Sequence, residues 1–447
     1  MKVIIAGAGE VGTHAAEVLT EAGHRVTVVD TRESRLAGID DAMDVRTVLG
    51  NSANAEVLLE AGADNPEAAL VAATASDEVN LLTATVGRGL GVGKTVVRVH
   101  HSAYFEERGF AYSEHLGVTR LICPEYSTAT AITALVRNPA AIAVETFASG
   151  QIEMQEFGVE DDAPAIGKSL IELQMQQGAR LAAVRRGGDA FLPVATTVIE
   201  PRDVVILVGN AESFEQARQL FQLKRAKRKR VLVMGGSTMG VWLCRVLRDR
   251  GVSVKLFEPD LARAEDLAAK LDDVTVVHVD TSDLASFDEH RIEELDAFIA
   301  TTDDDEHNIL TSAWAKSAGV RQSIVVVQRW RYVQLIGRVG IDHVFSPRRV
   351  AVNQISRTLD ESPLLRMASL AEGVIDAQRV KVVAGSPVIG KKLRDLRLSP
   401  DWVVAAIQHE GRTFVPGADD EIPSDCRVMV IGRHGQEKKL RQTFGPA

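Results

Sequence analysis

Along the first 135 residues of the chain, short runs of apolar and β-branched residues alternate with longer amphipathic stretches. The runs are KVIIAG, RVTVVD, VRTVLGN, AALVAAT, KTVVRVH and RLICP, close to continuously apolar, as strands buried on both faces require. Between the first two, Val11, Ala15, Val18, Leu19 and Ala22 recur at helical spacing on one face, and Gly23 supplies a stop. Strand, helix and strand in succession predict parallel βαβ units and a doubly wound α/β sheet. From about residue 146 the texture changes. The strands shorten, RRGGD (185–189) and EPRD (200–203) mark turns, and a single helical piece is expected around GKSLIELQMQQG. This predicts a small α+β domain.

The same pattern then starts again. VIIAGAGEVG (3–12) returns as VLVMGGSTMG (231–240), Asp30 at the end of VTVVD falls on Glu258 at the end of VKLFE, and TASDEVNLL (74–82) returns as TDDDEHNIL (302–310). GVTRLICP (117–124) matches GIDHVFSP (340–347), IGKSL (166–170) matches IGKKL (389–393), and the AAV near 183 with Phe191 and Pro193 matches the AAI near 406 with Phe414 and Pro416. An internal duplication of one large and one small domain follows. The expected boundaries are 1–140 and 231–362 for the two Rossmann-like domains, and 141–222 and 363–447 for the small ones. QLKRAKRKR (222–230), which contains the linker expected at 223–230, reads either as a solvated, charged connection or as a basic contact for phosphate or an acidic partner.

Composition narrows the classes. With 447 residues and 45% apolar content the chain can bury several cores. A net charge of −10 and a pI near 5.7 disfavour nucleic acid as a partner. Cys123, Cys244 and Cys426 lie far apart and form no CxxC or metal spacing, which suits a reducing cytoplasm. Neither a signal-peptide pattern nor an apolar run of about 18 residues is present, so a cytoplasmic protein without its own membrane span is expected.

Candidate chemistry centres on the glycines. Gly7-x-Gly9-x-x-Gly12 follows a strand and opens a helix, the arrangement in which backbone approaches a pyrophosphate and the helix N-terminus offers free N–H groups. Asp30, ending the second strand, is placed to accept hydrogen bonds from an adenosine ribose, and favours a free 2′-hydroxyl over the 2′-phosphate of NADP, with Arg32 close by as a counterweight. In the second copy the loop is Gly235-Gly236-Ser237-Thr238-Met239-Gly240; serine replaces the middle glycine and Glu258 keeps the acceptor. That copy either binds a ligand differently or survives as scaffold. Ala73-Thr74 ends a strand at the sheet's carboxyl edge, followed by Ser76-Asp77-Glu78, which read either as ligand-edge residues or as a helix cap. The twin Thr301-Thr302 continues into Asp303 to Glu306, a divalent-cation candidate or a set of helix-start acids. Arg98 and Arg329 are read as equivalent strand-end cations, facing phosphate or forming surface ion pairs. His100-His101 is the best candidate base, but the stretch taken as its equivalent reads Trp330-Arg331. No nucleophile pairing or P-loop is present, so binding without catalysis is expected.

GAGEVG, VTVVD, GN at 50–51, ATASDEVN at 73–80, VVRV at 96–99, CPE at 123–125 and IGKSL together resemble the RCK, or KTN, domains that regulate potassium transport. Two such units in one chain are similar to the regulatory subunits of Trk-type potassium uptake systems; the relatives in Ktr systems carry one. The resemblance implies a non-enzymatic, cytoplasmic subunit, peripheral on the inner face of the membrane, assembled as a homotetrameric ring against a Trk-type potassium transporter. It implies NAD(H), ATP and ADP as ligands. Carried onto this sequence, the contacts are Gly7, Ala8, Gly9, Glu10 and Val11, Asp30, Ala73, Thr74 and Arg98, and in the second copy Gly235, Gly236, Ser237, Thr238, Met239, Glu258 and Thr301. Where Ktr relatives place an arginine in the glycine loop, this chain has Glu10 and Thr238; Glu125, at a cation position of some relatives, is matched by Arg348.

Overall fold

The computed structural model describes residues 1–40, 43–105, 110–137, 152–222, 228–283, 285–329, 332, 336, 339–359, 364–370, 374–396 and 401–445. The first repeat contributes β1 (Lys2–Ala6), β2 (Arg25–Asp30), β3 (Arg46–Leu49), β4 (Ala69–Ala72), β5 (Lys94–Arg98) and β6 (Arg120–Ile122), then β7 (Glu153–Gly158), β8 (Ala179–Arg186), β9 (Asp189–Phe191) and β10 (Val204–Gly209). The second contributes β11 (Arg230–Met234), β12 (Ser253–Glu258), β13 (Val274–His278), β14 (Ala297–Ala300), β15 (Gln322–Val326) and β16 (His343–Phe345). Its small domain holds β17 (Leu364–Leu370), β18 (Ile375–Lys381), β19 (Trp402–His409), β20 (Arg412–Phe414) and β21 (Arg427–Arg433).

All six apolar runs of the first repeat are strands, ordered β3-β2-β1-β4-β5-β6 and parallel throughout. The second repeat repeats the order as β13-β12-β11-β14-β15-β16. The chain reverses direction of travel across the sheet between β1 and β4, and between β11 and β14. These switch points open a crevice at the strands' carboxyl ends.

Contacts group the chain by domain type. One unit joins Met1–Thr133 with Arg228–Glu361, and the other joins Ala134–Lys227 with Ser362–Ala447. Within the first unit the helix Pro347–Leu359, which follows β16, inserts Ala351, Val352, Ile355 and Leu359 into the cluster holding Val3, Ile5, Val28 and the Val11, Ala15 and Leu19 face of helix Glu10–Glu21. The reverse exchange is made by helix Pro124–Arg137, whose Tyr126 ring meets Trp242 edge-on at 5.2 Å and whose Ser127 Oγ donates to Gln354 Oε1 at 3.1 Å. Each large domain thus packs against a helix of the other repeat.

Within the second unit the antiparallel sheets β7-β10-β8-β9 and β17-β18-β21-β19-β20 share a core of Ile152, Met154, Ala182 and Ile206 with Ile375, Ala377, Ala405 and Met429. The Arg180 guanidinium spans the pair, donating to Val404 O at 2.7 Å and Pro416 O at 2.6 Å. Matched bridges, Ile166 with Ile199 and Ile389 with Ile422, bear out the IGKSL and IGKKL alignment.

The helical piece expected around GKSLIELQMQQG is one turn, Leu170–Leu173, because Gln174 adopts φ 42° and stops it. A second helix, Ala211–Arg218, was not anticipated; Asn210 caps it by accepting from Ser213 N. Of the linker at 223–230, residues 223–227 lie outside the described residues, and Arg230 already belongs to β11. The boundaries at 140 and 362 also fall outside them. Among the described residues no helix is long and apolar enough to cross a membrane.

Candidate functional site

The glycine loop of the first repeat leaves β1 at Gly7 with φ +108°, and Gly7 N donates to Val29 O at 2.7 Å. A Cβ at Gly7 would lie 2.9 Å from Ala73 O, and one at Gly12 would overlap the Gly7 carbonyl oxygen. Those two positions are glycine because backbone meets backbone there. Gly9 differs: a Cβ there would meet no atom within 4 Å. The space above the middle glycine is open. Gly9 is also the N-cap of helix Glu10–Glu21 and brings no side chain to it, so no N-cap side chain serves the first-turn N–H groups, the arrangement that helix-start phosphate sites use.

Asp30, 9% exposed, ends β2. Its Oδ2 accepts from Ala8 N at 2.7 Å and its Oδ1 from Arg32 N at 2.9 Å. It latches the glycine loop to the next turn. A carboxylate has about four acceptor positions, so a ribose diol can still be held. The ion-pair partner of Asp30 is Arg35, at 3.7 Å, whereas Arg32 approaches through its backbone.

The second loop uses the same scaffold. Gly235 has φ +98° and donates to Phe257 O at 2.8 Å; Glu258 accepts from Gly236 N at 2.8 Å and Asp260 N at 3.0 Å. What differs is the filling. Ser237 Oγ accepts from Gly240 N at 3.2 Å, capping its own helix, and donates to Thr301 O at 2.6 Å. Thr301 Oγ1 is buried 3.0 Å from both Met234 O and Gly235 O. Arg263 Nε donates to Gly236 O at 2.9 Å, and Leu267 and Glu258 crowd the space a Cβ at Gly236 would need. Met239 is buried and Thr238 faces solvent. The loop's own Ser237 side chain serves the Gly240 N–H, whose counterpart at Gly12 has no such cap.

At the sheet edge, Ala73 N donates to Ala6 O at 2.8 Å, tying the strand end to the loop. Thr74 donates to the buried Asn80 Oδ1 from both N (2.8 Å) and Oγ1 (2.6 Å), and Asn80 Nδ2 reaches Thr74 O and Arg98 O. Thr302, Asn308 and Val326 O repeat this network. Val326 is therefore the counterpart of Arg98. The expected equivalence of Arg98 and Arg329 is corrected: the second strand ends in valine, and matching arginine to arginine slips the alignment. Asp77 accepts from His100 N and His101 N, as Asp305 accepts from Gln328 N and Arg329 N. So His100-His101 corresponds to Gln328-Arg329, not to Trp330-Arg331, which lie outside the described residues.

These acids close turns. Burial works to raise the Asp77 carboxyl, but hydrogen bonds from the His100 ring and from the His101 and His100 backbones outweigh it and hold it below its ordinary value. Both His100 nitrogens face acids, Nδ1 3.0 Å from Asp77 and Nε2 4.0 Å from Glu125. Asp304 caps helix Asp305–Ser317 by accepting from His307 N. Among the described residues no group of three or more His, Cys, Asp or Glu could hold a metal ion. Burial pushes the Cys123 and Cys244 thiols up to about 12.

Two features escaped sequence reasoning. Asn80 stands within the ATASDEVN motif, yet only the fold shows that it braces Thr74. Arg348, in helix Pro347–Leu359, forms an ion pair with Glu10 of the other repeat, a pairing that no local spacing records.

Residues 3–124 and 231–347 match the TrkA-N domain, and residues 154–222 and 377–445 match the TrkA-C domain. The chain is 33% identical to a Trk system potassium uptake protein TrkA homolog of Archaeoglobus fulgidus, over 99% of this chain and 100% of that one. It is 31% identical to the Trk system potassium uptake protein TrkA of Vibrio alginolyticus, over 96% of this chain and 95% of that one. A solved structure described as the GsuK channel bound to NAD covers 99% of this chain and 78% of its own, with a TM-score of 0.60 at 18% identity, a likeness of fold.

Proposed function

The chain belongs to the family of Trk system potassium uptake proteins TrkA, and from that premise we propose that it is the nucleotide-binding regulatory subunit of a Trk-type potassium transporter. In this reading the first repeat holds the adenine nucleotide. Its phosphates lie on Gly7, Ala8, Gly9, Glu10, Val11 and Gly12, its ribose on Asp30, and Ala73, Thr74 and Arg98 form the far wall. The observation that carries the reading is the open, uncapped helix start at Gly9 beside the partly free Asp30 carboxylate. NAD(H) fits the free 2′-hydroxyl that Asp30 favours, and a channel of the same fold was solved with NAD; ATP and ADP share the adenosine and its pyrophosphate. The second loop, Gly235 to Met239 with Glu258 and Thr301, acts as scaffold in its self-capped state.

No catalytic step is part of this reading: the best base candidate, His100, gives its backbone N–H and Nδ1 to Asp77 in closing the turn after β5, and its Nε2 lies 4.0 Å from Glu125. The subunit works from the cytoplasmic face as a homotetrameric ring, in which four chains supply eight large domains. A nucleotide biases such a ring only through different affinity for its two states, and couplings of about 1–3 kcal/mol shift an equilibrium roughly 5- to 150-fold. The test is calorimetric titration of the full chain with NAD(H), ATP and ADP, followed by potassium flux through the reconstituted complex. Asp30→Ala is expected to lose binding and the nucleotide's effect on flux together. Undiminished binding by that variant would refute the site.

A further inference from the structure

The second repeat places a cation at the first repeat's loop. Helix Pro347–Leu359 packs into the first sheet's core through Ala351, Val352, Ile355 and Leu359, and its first turn carries Arg348 to Glu10. Glu10 is the first residue of the helix that Gly9 leaves uncapped. Arg348 Nη1 also donates to Gln328 O at 2.9 Å, which fixes the direction of the guanidinium. A second guanidinium stands at the same edge: Arg98 Nη2 lies 3.4 Å from Thr74 O, and its buried Nε has no hydrogen-bond partner. At the second loop the corresponding residues are Val326 for Arg98, Thr238 for Glu10 and Glu125 for Arg348. The charge arrangement is specific to the first site.

We propose that Arg348 is a phosphate-binding residue of the first repeat's nucleotide site, supplied by the second repeat, and that Glu10 holds its guanidinium until the phosphate chain of an adenine nucleotide takes it over. The proposal rests on the nucleotide reading given above. Glu10 is 64% exposed and Arg348 30%, and so wet an ion pair contributes little to stability. A phosphate offers more charge and a bidentate fit to the guanidinium fork, so it outcompetes the carboxylate. The exchange changes what helix Pro347–Leu359 is tethered to, and thereby reports occupancy of one repeat to the other.

Calorimetric titration of the full chain with ATP, ADP and NADH tests this, using Arg348→Gln, Glu10→Gln and the double variant, each checked for an unchanged melting temperature. Arg348→Gln is expected to weaken the tightest-binding nucleotide by about tenfold, the scale of one charge-assisted contact. Glu10→Gln is expected to tighten it severalfold by removing the competitor, and the double variant to match Arg348→Gln. A bridge that only supports the fold would move both single variants the same way, and that result overturns the proposal. If Arg348→Gln fails to fold, the Glu10→Gln result decides alone, tightening supporting the proposal and any other outcome refuting it. Wild-type binding with both variants unchanged refutes this inference only, whereas a wild-type chain that binds none of the three nucleotides refutes the site reading beneath it as well.

Discussion

Single residues in the first loop separate packing from recognition. Gly12 and Gly9 belong to one fingerprint, yet a Cβ at Gly12 would overlap the Gly7 carbonyl and a Cβ at Gly9 would enter open space. Gly12→Ala is therefore expected to cost about 1–3 kcal/mol of stability, the range for overpacking, read from denaturant unfolding. Gly9→Ala should keep wild-type stability and, if the proposed site is right, lose nucleotide affinity, because its methyl group would fill the open space assigned there to the phosphate. Equal stability losses in the two would count against an open crevice. Asp77 gives a prediction in pH. Its folded-state carboxyl is held below its ordinary value of 3.8, so its contribution is fully present above that value and is lost as pH falls through the folded one. Acid unfolding followed by circular dichroism should show a shallower pH dependence below pH 4 for Asp77→Asn than for wild type, and identical slopes would show that the turn does not depend on the charge.

At the scale of elements, the two glycine-loop helices begin in opposite ways, and the second carries its own cap. Ser237→Ala removes the acceptor for Gly240 N and is expected to cost about 1 kcal/mol in urea unfolding, while nucleotide affinity of the full chain stays at the wild-type value if the first repeat holds the ligand. A loss of affinity would mean that the second loop binds. The central strands were legible in the sequence because a strand covered on both faces leaves an apolar run, and the partly exposed edge strands β3 and β6 completed the six. Gly7 and Gly12 were legible for a similar reason, since a left-handed turn at Gly7 and a backbone contact at Gly12 restrict residue type at fixed spacing. What stayed hidden depends on distant partners. Val326 replaces Arg98 at a strand end that reads equally well with either residue, and only the Asn80 and Asn308 networks fix the register. The Ala211–Arg218 helix was overlooked although Asn210 signals its start. Self-capping of the second loop is not legible from Ser237 alone, because its bonds to Gly240 N and Thr301 O depend on how the loop meets the strand end.

On the scale of the whole molecule, duplication lets each large domain pack against a helix of the other repeat. Val352, Ile355 and Leu359 of the second repeat are all but fully buried in the first repeat's core, and burying such side chains contributes roughly 1.5–3 kcal/mol each, a large share of the 5–15 kcal/mol typical of a domain. A fragment ending within residues 223–227 would expose the Val11, Ala15 and Leu19 face that these residues cover. The fragment nevertheless carries helix Pro124–Arg137, whose Ala129, Ile132 and Val136 stand at the positions of Val352, Ile355 and Leu359 and are themselves buried. Two copies of the first repeat can therefore exchange this helix as the two repeats do in one chain. The isolated first repeat is expected to sediment as a dimer, and the two repeats coexpressed as separate chains to purify as a complex with the mass of the intact protein. Ile132→Asp should abolish the fragment dimer. A first-repeat fragment that is monomeric and melts at the temperature of the full chain would show that the exchanged helices decorate two finished domains instead of completing them.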